Sequence, residues 1–239
     1  MFLTILTAAI TVMLSFLPKP AALQTEGVQP SARSSAIYLT FDADMTEGME
    51  ERQKAGQVKT WYDPEIISFL EEQNISSTIF VTGIFAKSNP ELIGKLAGNP
   101  LFELENHSYD HRAFLDNCYR LPAVRSDDDK KAEIVKTQDL LSRMSGKTPK
   151  FFRFPGLCSG SRDRELVEGL GLTPIGADIV SQDAFNGRPD AISERIIKNA
   201  KEGSVVLLHL GGPNAPATLQ ALESAVPQLK SRGFIFKTL

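Results

Sequence analysis

Ala36-Ile37-Tyr38-Leu39-Thr40-Phe41 runs straight into Asp42-Ala43-Asp44, a mostly apolar strand that ends in two carboxylates. The run lacks the strict polar alternation of a strand with one wet face, so it reads as a strand of a covered, parallel sheet. The same pattern recurs downstream. Short apolar runs at 77–82, 101–105, 150–154, 173–177, 205–209 and 234–237 alternate with helical patterns near 64–73, 90–96, 128–144, 162–170, 191–201 and 216–231. Asp63-Pro64, Asn89-Pro90 and Asp190 each place a side-chain acceptor ahead of a helix. Such alternation predicts an α/β fold, and its repetition favours a distorted (β/α) barrel of about seven parallel strands over an open sheet.

In a parallel barrel every strand ends on one face, and active sites sit there. The polar motifs fall at those ends. Asp42 and Asp44 follow the first strand, His107 and His111 the third, and Arg153-Phe154-Pro155-Gly156 closes the fourth. Asp183 follows the fifth and His209 ends the sixth. Residues far apart in the chain are thereby expected on one rim.

Composition bounds the rest. The 239 residues fit one domain, and 42% hydrophobic residues can fill a large core without disulfides. A net charge of −3 argues against a nucleic-acid partner, which calls for a basic stripe. Residues 1–17 carry no charge and are mostly apolar, with Lys19-Pro20 next. Residues 1–22 are therefore expected to be a signal peptide or an N-terminal membrane anchor, and the protein to be exported. Residues 23–35 read as a polar linker and 36–239 as the catalytic domain. Oligomeric state is not legible.

The chain has only three histidines, and all lie at strand ends. His107 and His111, four residues apart, can meet one ion if the segment turns once. A carboxylate completes a three-ligand site that leaves positions for water and substrate. Imidazoles with a carboxylate suit zinc, with cobalt, iron and manganese as alternatives.

These motifs, in this order, resemble the polysaccharide deacetylase family (NodB homology, carbohydrate esterase family 4), from Ala36 to the C-terminus. The residues that carry the likeness are Thr40-Phe41-Asp42-Ala43-Asp44, His107-Ser108-Tyr109-Asp110-His111, Arg153-Phe154-Pro155-Gly156, Asp183 and Leu207-Leu208-His209. The resemblance implies that Asp42 is the general base and Asp44 the metal ligand beside His107 and His111. An alanine separates the two aspartates, so the reverse assignment stays open. It further implies that Arg153 pairs with the base and that Asp183 orients His209, the general acid. The same resemblance implies that Gly156 supplies an oxyanion N–H and that Leu207 lines the acetyl-methyl pocket. Beside Asp183, the His209 imidazole is expected to have a raised pKa.

The implied activity is metal-dependent removal of N-acetyl or O-acetyl groups from an envelope or extracellular polysaccharide, such as peptidoglycan or a glycan containing N-acetylglucosamine. Two other readings remain: a non-catalytic glycan-binding scaffold, and an amidohydrolase of a small non-sugar substrate. The chain departs from the family pattern at Gly156, where an aromatic residue usually stands. It departs again at Ala184, a usual tryptophan position that Phe185 follows, and in the polar segment 45–60. A wider groove is expected, with Glu47, Glu50 and Glu51 on a solvated surface.

Cys118 and Cys158 follow His111 and Arg153 on loops of the same rim, and two cysteines in an exported protein predict a disulfide between them. Asp127-Asp128-Asp129 read as helix-start acids. Trp61-Tyr62 fits sugar stacking and helix packing equally, and Asp110 is expected to be exposed.

Overall fold

The computed structural model describes residues 35–239. The expected N-terminal segment 1–22, and the linker 23–35 apart from its last residue, lie outside the described residues. Among the described residues eight strands form one parallel sheet: β1 (Ala36–Ala43), β2 (Ser77–Val81), β3 (Phe102–Asn106), β4 (Phe151–Phe152), β5 (Thr173–Pro174), β6 (Ile179–Val180), β7 (Val205–His209) and β8 (Ile235–Phe236). The spatial order is β5-β4-β3-β2-β1-β7-β6, and β8 pairs with the start of β1. No pairing joins β5 to β6 among the described residues, so the barrel stays open along that seam. β6 is one strand more than the periodicity suggests. At two residues it is too short to carry a pattern.

Helices cover the strands: α1 (Glu47–Lys54), α2 (Pro64–Glu72), α3 (Gly83–Ser88), α4 (Pro90–Gly98), α5 (Asp127–Ser145), α6 (Ser161–Gly169), α7 (Pro189–Asn199) and α8 (Thr218–Ser231). Among the described residues no helix is long and apolar enough to cross a membrane. The main core joins Ile37, Leu39 and Phe41 of β1 to apolar side chains of α2, α4, α7 and α8. A second cluster packs Phe114, Phe152 and Phe154 edge to face, with Ile134, Val167 and Leu172 around them.

Local chemistry corrects several expectations. Asp63 caps α2 as predicted, accepting from Glu65 N at 2.9 Å. Asn89 precedes α4 but makes no side-chain cap bond; its amide Nδ2 instead donates back to Phe85 O at 2.9 Å. Asp190 falls inside the first turn of α7, which begins at Pro189. The polar segment after β1 holds a helix, α1, whose start is capped by the Thr46 hydroxyl. Glu47 and Glu51 there are exposed, as expected, whereas Glu50 is half-buried, paired with Lys54 at 2.9 Å and accepting from Ser88 Oγ at 3.3 Å. Trp61 is buried and donates to Met49 O at 2.8 Å, so it belongs to packing.

The register positions the rim. Asp42 lies opposite Phe80 of β2 and His209 of β7, and Val81 lies opposite Asn106 of β3. Three chain-distant motifs thus end at one height. Flat strands would hold β4 about 14 Å from β1. Yet Arg153, just after β4, bonds Asp42 and Thr40 of β1 directly, which requires the sheet to curl.

Candidate functional site

Asp44 sits where β1 ends, and Thr82 brackets it. The Thr82 hydroxyl donates to Ala43 O at 3.1 Å and accepts from Met45 N at 3.0 Å. Asp44 Oδ1 lies 3.2 Å from His107 Nε2 and 3.3 Å from His111 Nε2. His107 is fully buried, and its Nδ1 meets Arg153 O at 2.8 Å. A carbonyl only accepts, so Nδ1 carries the proton and the Nε2 lone pair faces Asp44. Asp44 Oδ1 and His107 Nε2 are buried and have no hydrogen-bond partner among the described residues. Leaving such atoms orphaned costs free energy unless an ion occupies the gap between them. One atom each from Asp44, His107 and His111 lies within 4.8 Å of the others, so the donor set and its orphaned atoms fit a divalent cation.

Electrostatics favour the ligand state at Asp44 and His111, whereas the two carboxylates beside His107 favour its protonated ring. Burial raises the Asp44 carboxyl, but the three histidines outweigh it and hold the group well below the usual range. Burial pulls His107 down while Asp42 and Asp44 pull it up, and the carboxylates prevail. Burial prevails at His111, which is held low and retains a lone pair.

Asp42 is held differently. Arg153 Nη1 donates to Asp42 Oδ1 at 2.7 Å. Arg153 Nη2 donates to Thr40 Oγ1 at 2.8 Å and to Gly176 O at 3.2 Å. The guanidinium is fully buried over the Phe80 ring, 4.0 Å from its centroid. Asp42 Oδ2 stays free of Arg153 and lies 3.5 Å from His107 Nε2.

Across the site, Asp183 Oδ1 meets His209 Nδ1 at 2.8 Å. Its Oδ2 accepts from His209 N at 2.7 Å and from Thr218 Oγ1 at 2.7 Å. Burial alone would lower the His209 imidazole. The Asp183 charge and hydrogen bond overcome this and raise it to about 10, the expected direction. His209 Nε2 points back to Asp44 Oδ2 at 3.5 Å. Asp42, Asp44 and His209 form a second set within metal-binding distance, so the two candidate sets share Asp44.

Leu207 is buried in β7 beside Thr40. Gly156 adopts φ 62° in the turn Pro155–Leu157, and a Cβ there would meet Cys118 Sγ at 2.6 Å. Cys118 and Cys158 are disulfide-bonded, as expected, with Cα atoms 6.1 Å apart. The space beside Gly156 is therefore not open: Cys118 Sγ and the Tyr119 ring occupy it.

Asp110 corrects an expectation. It is buried, with Oδ2 on Arg112 Nε at 2.6 Å and Oδ1 without a partner. Several supporting residues have no sequence signature. Asn106 Oδ1 accepts from Ser108 N at 3.0 Å. Glu133 Oε2 accepts from Tyr109 N at 2.9 Å and Asp110 N at 3.1 Å. Gly83 N and Ile84 N donate to Ser108 O and Tyr109 O. Together they fix a loop in which Ser108 (φ 66°) and His111 (φ 62°) adopt left-handed backbone.

An α/β half-barrel with two histidines and an aspartate at one rim, flanked by an Arg-held carboxylate and an Asp-held imidazole, defines the class. The family model for polysaccharide deacetylase matches residues 29–175, more than half of the chain, which belongs to that family. A peptidoglycan-N-acetylglucosamine deacetylase of Bacillus cereus is 27% identical over 181 residues, covering 74% of this chain and 62% of its own length. A chitooligosaccharide deacetylase of Azorhizobium caulinodans is 27% identical over 219 residues, covering 86% of this chain and 93% of its own. A solved peptidoglycan N-acetylglucosamine deacetylase superposes with TM-score 0.71 at 24% identity over 86% of each chain, a likeness of fold.

Proposed function

We propose that this protein is an exported, metal-dependent deacetylase that removes N-acetyl groups from a glycan containing N-acetylglucosamine, such as peptidoglycan. One observation carries the reading: the orphaned Asp44 Oδ1 and His107 Nε2 converge between an Arg-anchored aspartate and an Asp-anchored histidine. The relatives' names, peptidoglycan-N-acetylglucosamine deacetylase and chitooligosaccharide deacetylase, support the substrate class. The disulfide is compatible with export.

Asp44, His107 and His111 hold the ion, zinc being the first choice for this donor set and cobalt, iron and manganese the alternatives. A divalent cation held there supplies Lewis acidity toward an acyl oxygen. Asp42 is the general base, taking a proton from the attacking water on Oδ2 while Arg153 fixes Oδ1. The engagement with Arg153 also favours Asp44 over Asp42 as the ligand. His209, kept protonated by Asp183, gives its Nε2 proton to the departing sugar nitrogen. The Gly156 N–H stabilises the tetrahedral oxyanion, and Leu207 receives the acetyl methyl.

Acetate release from N-acetylglucosamine oligomers tests the proposal. Release should stop with chelator and return with zinc. Asp42→Asn and His209→Ala should each lose at least about 100-fold, the usual scale of general acid–base catalysis. Wild-type rates in both variants would refute the mechanism.

A further inference from the structure

Tyr119 and Phe185 are the most exposed large hydrophobic side chains among the described residues, at 65% and 71%. They lie against each other with centroids 5.5 Å apart and planes at 29°. They come from different loops, the one after β3 and the one after β6. Both loops border the reaction site. Tyr119 Cδ2 lies 3.1 Å from where a Cβ on Gly156 would stand, and Phe185 is two residues beyond Asp183. Exposing two aromatic rings side by side wastes apolar surface, so such a patch marks a binding surface.

The backbone beneath Tyr119 is strained. Asn117 (φ 62°), Tyr119 (φ 47°) and Arg120 (φ 63°), on either side of Cys118, are left-handed. Non-glycine residues persist there only where their surroundings over-determine the conformation. Two constraints do so here: the Cys118–Cys158 bond, and the turn in which Leu121 N donates to Cys118 O at 2.8 Å. The disulfide thus ties the turn that displays Tyr119 to the loop that carries Gly156.

We propose that the Tyr119–Phe185 pair is a stacking platform for a pyranose ring of the glycan, at a subsite beside the sugar being deacetylated, with Cys118–Cys158 as the positioning link. The proposal rests on the deacetylase reading of the neighbouring site. A pyranose presents an apolar C–H face to an aromatic ring and hydroxyls at its edge. Asn117, Arg120 and Asn186 flank the pair in sequence and offer partners for those hydroxyls. A protein partner needs an interface of about 1,000 Å² or more, and two rings among polar neighbours supply only a fraction of it.

Calorimetric titration of the metal-loaded full chain with N-acetylglucosamine dimer and tetramer tests the platform. The wild type should bind the tetramer more tightly than the dimer. Tyr119→Ala and Phe185→Ala should each reduce that chain-length gain by about 3- to 10-fold, the scale of one aromatic contact. Tyr119→Phe should keep the gain, and the double variant Cys118→Ser/Cys158→Ser should lose about as much as Tyr119→Ala. A gain that survives both alanine variants overturns the platform, as does a wild type that shows no gain. Acetate release measured on the same samples separates the two claims. Platform-dependent binding without acetate sinks only the deacetylase reading. Acetate release with an undiminished gain in the alanine variants sinks only the platform.

Discussion

Gly83 lies against the ring of Tyr109: a Cβ on Gly83 would fall 2.2 Å from Tyr109 Cδ2 and 2.8 Å from Thr137 Oγ1. Lys136 Nζ sits 3.3 Å from the centroid of that ring, so a displaced ring must also move the lysine. Tyr109 belongs to the loop between His107 and His111, and its carbonyl accepts from Ile84 N at 2.9 Å. Gly83→Ala should therefore cost about 1–3 kcal/mol by overpacking. It should also weaken zinc binding, because the strain passes into the ligand loop. Denaturant unfolding and zinc titration check both. Unchanged zinc affinity in a destabilised variant would confine Gly83 to packing.

Arg153 leaves Asp42 buried and unpaired when it is removed. Breaking such a pair costs about 3–5 kcal/mol, so Arg153→Met should unfold far more easily than the wild type. Arg153→Lys should not restore acetate release. One ammonium cannot reach Asp42, Thr40 and Gly176 while lying flat on Phe80. Lysine variants with wild-type stability and turnover would show that the planar fork is dispensable.

Most of this fold was legible because its long elements carry strong periodicity, β1 above all. The site was legible because its donors fall where apolar runs stop: Asp42 and Asp44, His107 and His111, His209. What escaped was set by tertiary contact. β6 has two residues and no period of its own. Asp110 looked solvent-bound between two histidines, yet the loop turns it inward toward Arg112 and the α5 side. Thr82, Asn106 and Glu133 support the site through a few hydrogen bonds each, and no spacing rule distinguishes them from other polar residues.

Glu105 predicts a pH dependence unrelated to turnover. Its Oε2 accepts from Lys150 N and Phe151 N, both at 2.7 Å, and so ties β3 to β4. Burial still dominates and raises its pKa from 4.5 to about 7. A carboxyl with a raised folded pKa stabilises fully below its unfolded value, and the benefit is lost as pH rises through the folded value. Stability should fall between pH 4.5 and about 7, by up to roughly 3 kcal/mol from this group. Glu105→Gln keeps an acceptor oxygen and removes the charge, so its unfolding curves should be flatter across that window. An equal slope in both proteins would assign the dependence elsewhere.

Metal loading should stabilise the chain by mass action. At a free zinc concentration of 100 times Kd the gain is about 2.7 kcal/mol. Chelation should lower the wild-type Tm accordingly. His107→Ala should abolish the zinc-dependent shift, because the lone pair aimed at Asp44 Oδ1 is gone. A shift of wild-type size in that variant would move the ion to the alternative set of Asp42, Asp44 and His209.

Glu133 ties α5 to the ligand loop. Its carboxylate receives the N–H groups of Tyr109 and Asp110, the peptides midway between the two histidines. Burial, then the neighbouring Asp110 charge, raises its pKa to about 7. Removing the acceptor leaves two backbone donors unpaired, at about 1–3 kcal/mol each if water cannot reach them. Glu133→Ala should lower stability and, by loosening a loop with left-handed residues at Ser108 and His111, weaken zinc binding about 10- to 100-fold. Glu133→Gln retains an oxygen for the same donors and should recover most of both losses. The visible spectrum of the cobalt-loaded protein reports the ligand geometry directly. It should change in Glu133→Ala and match the wild type in Glu133→Gln. Identical cobalt spectra and zinc affinities in all three proteins would reduce Glu133 to a residue that holds α5 in place without shaping the metal site.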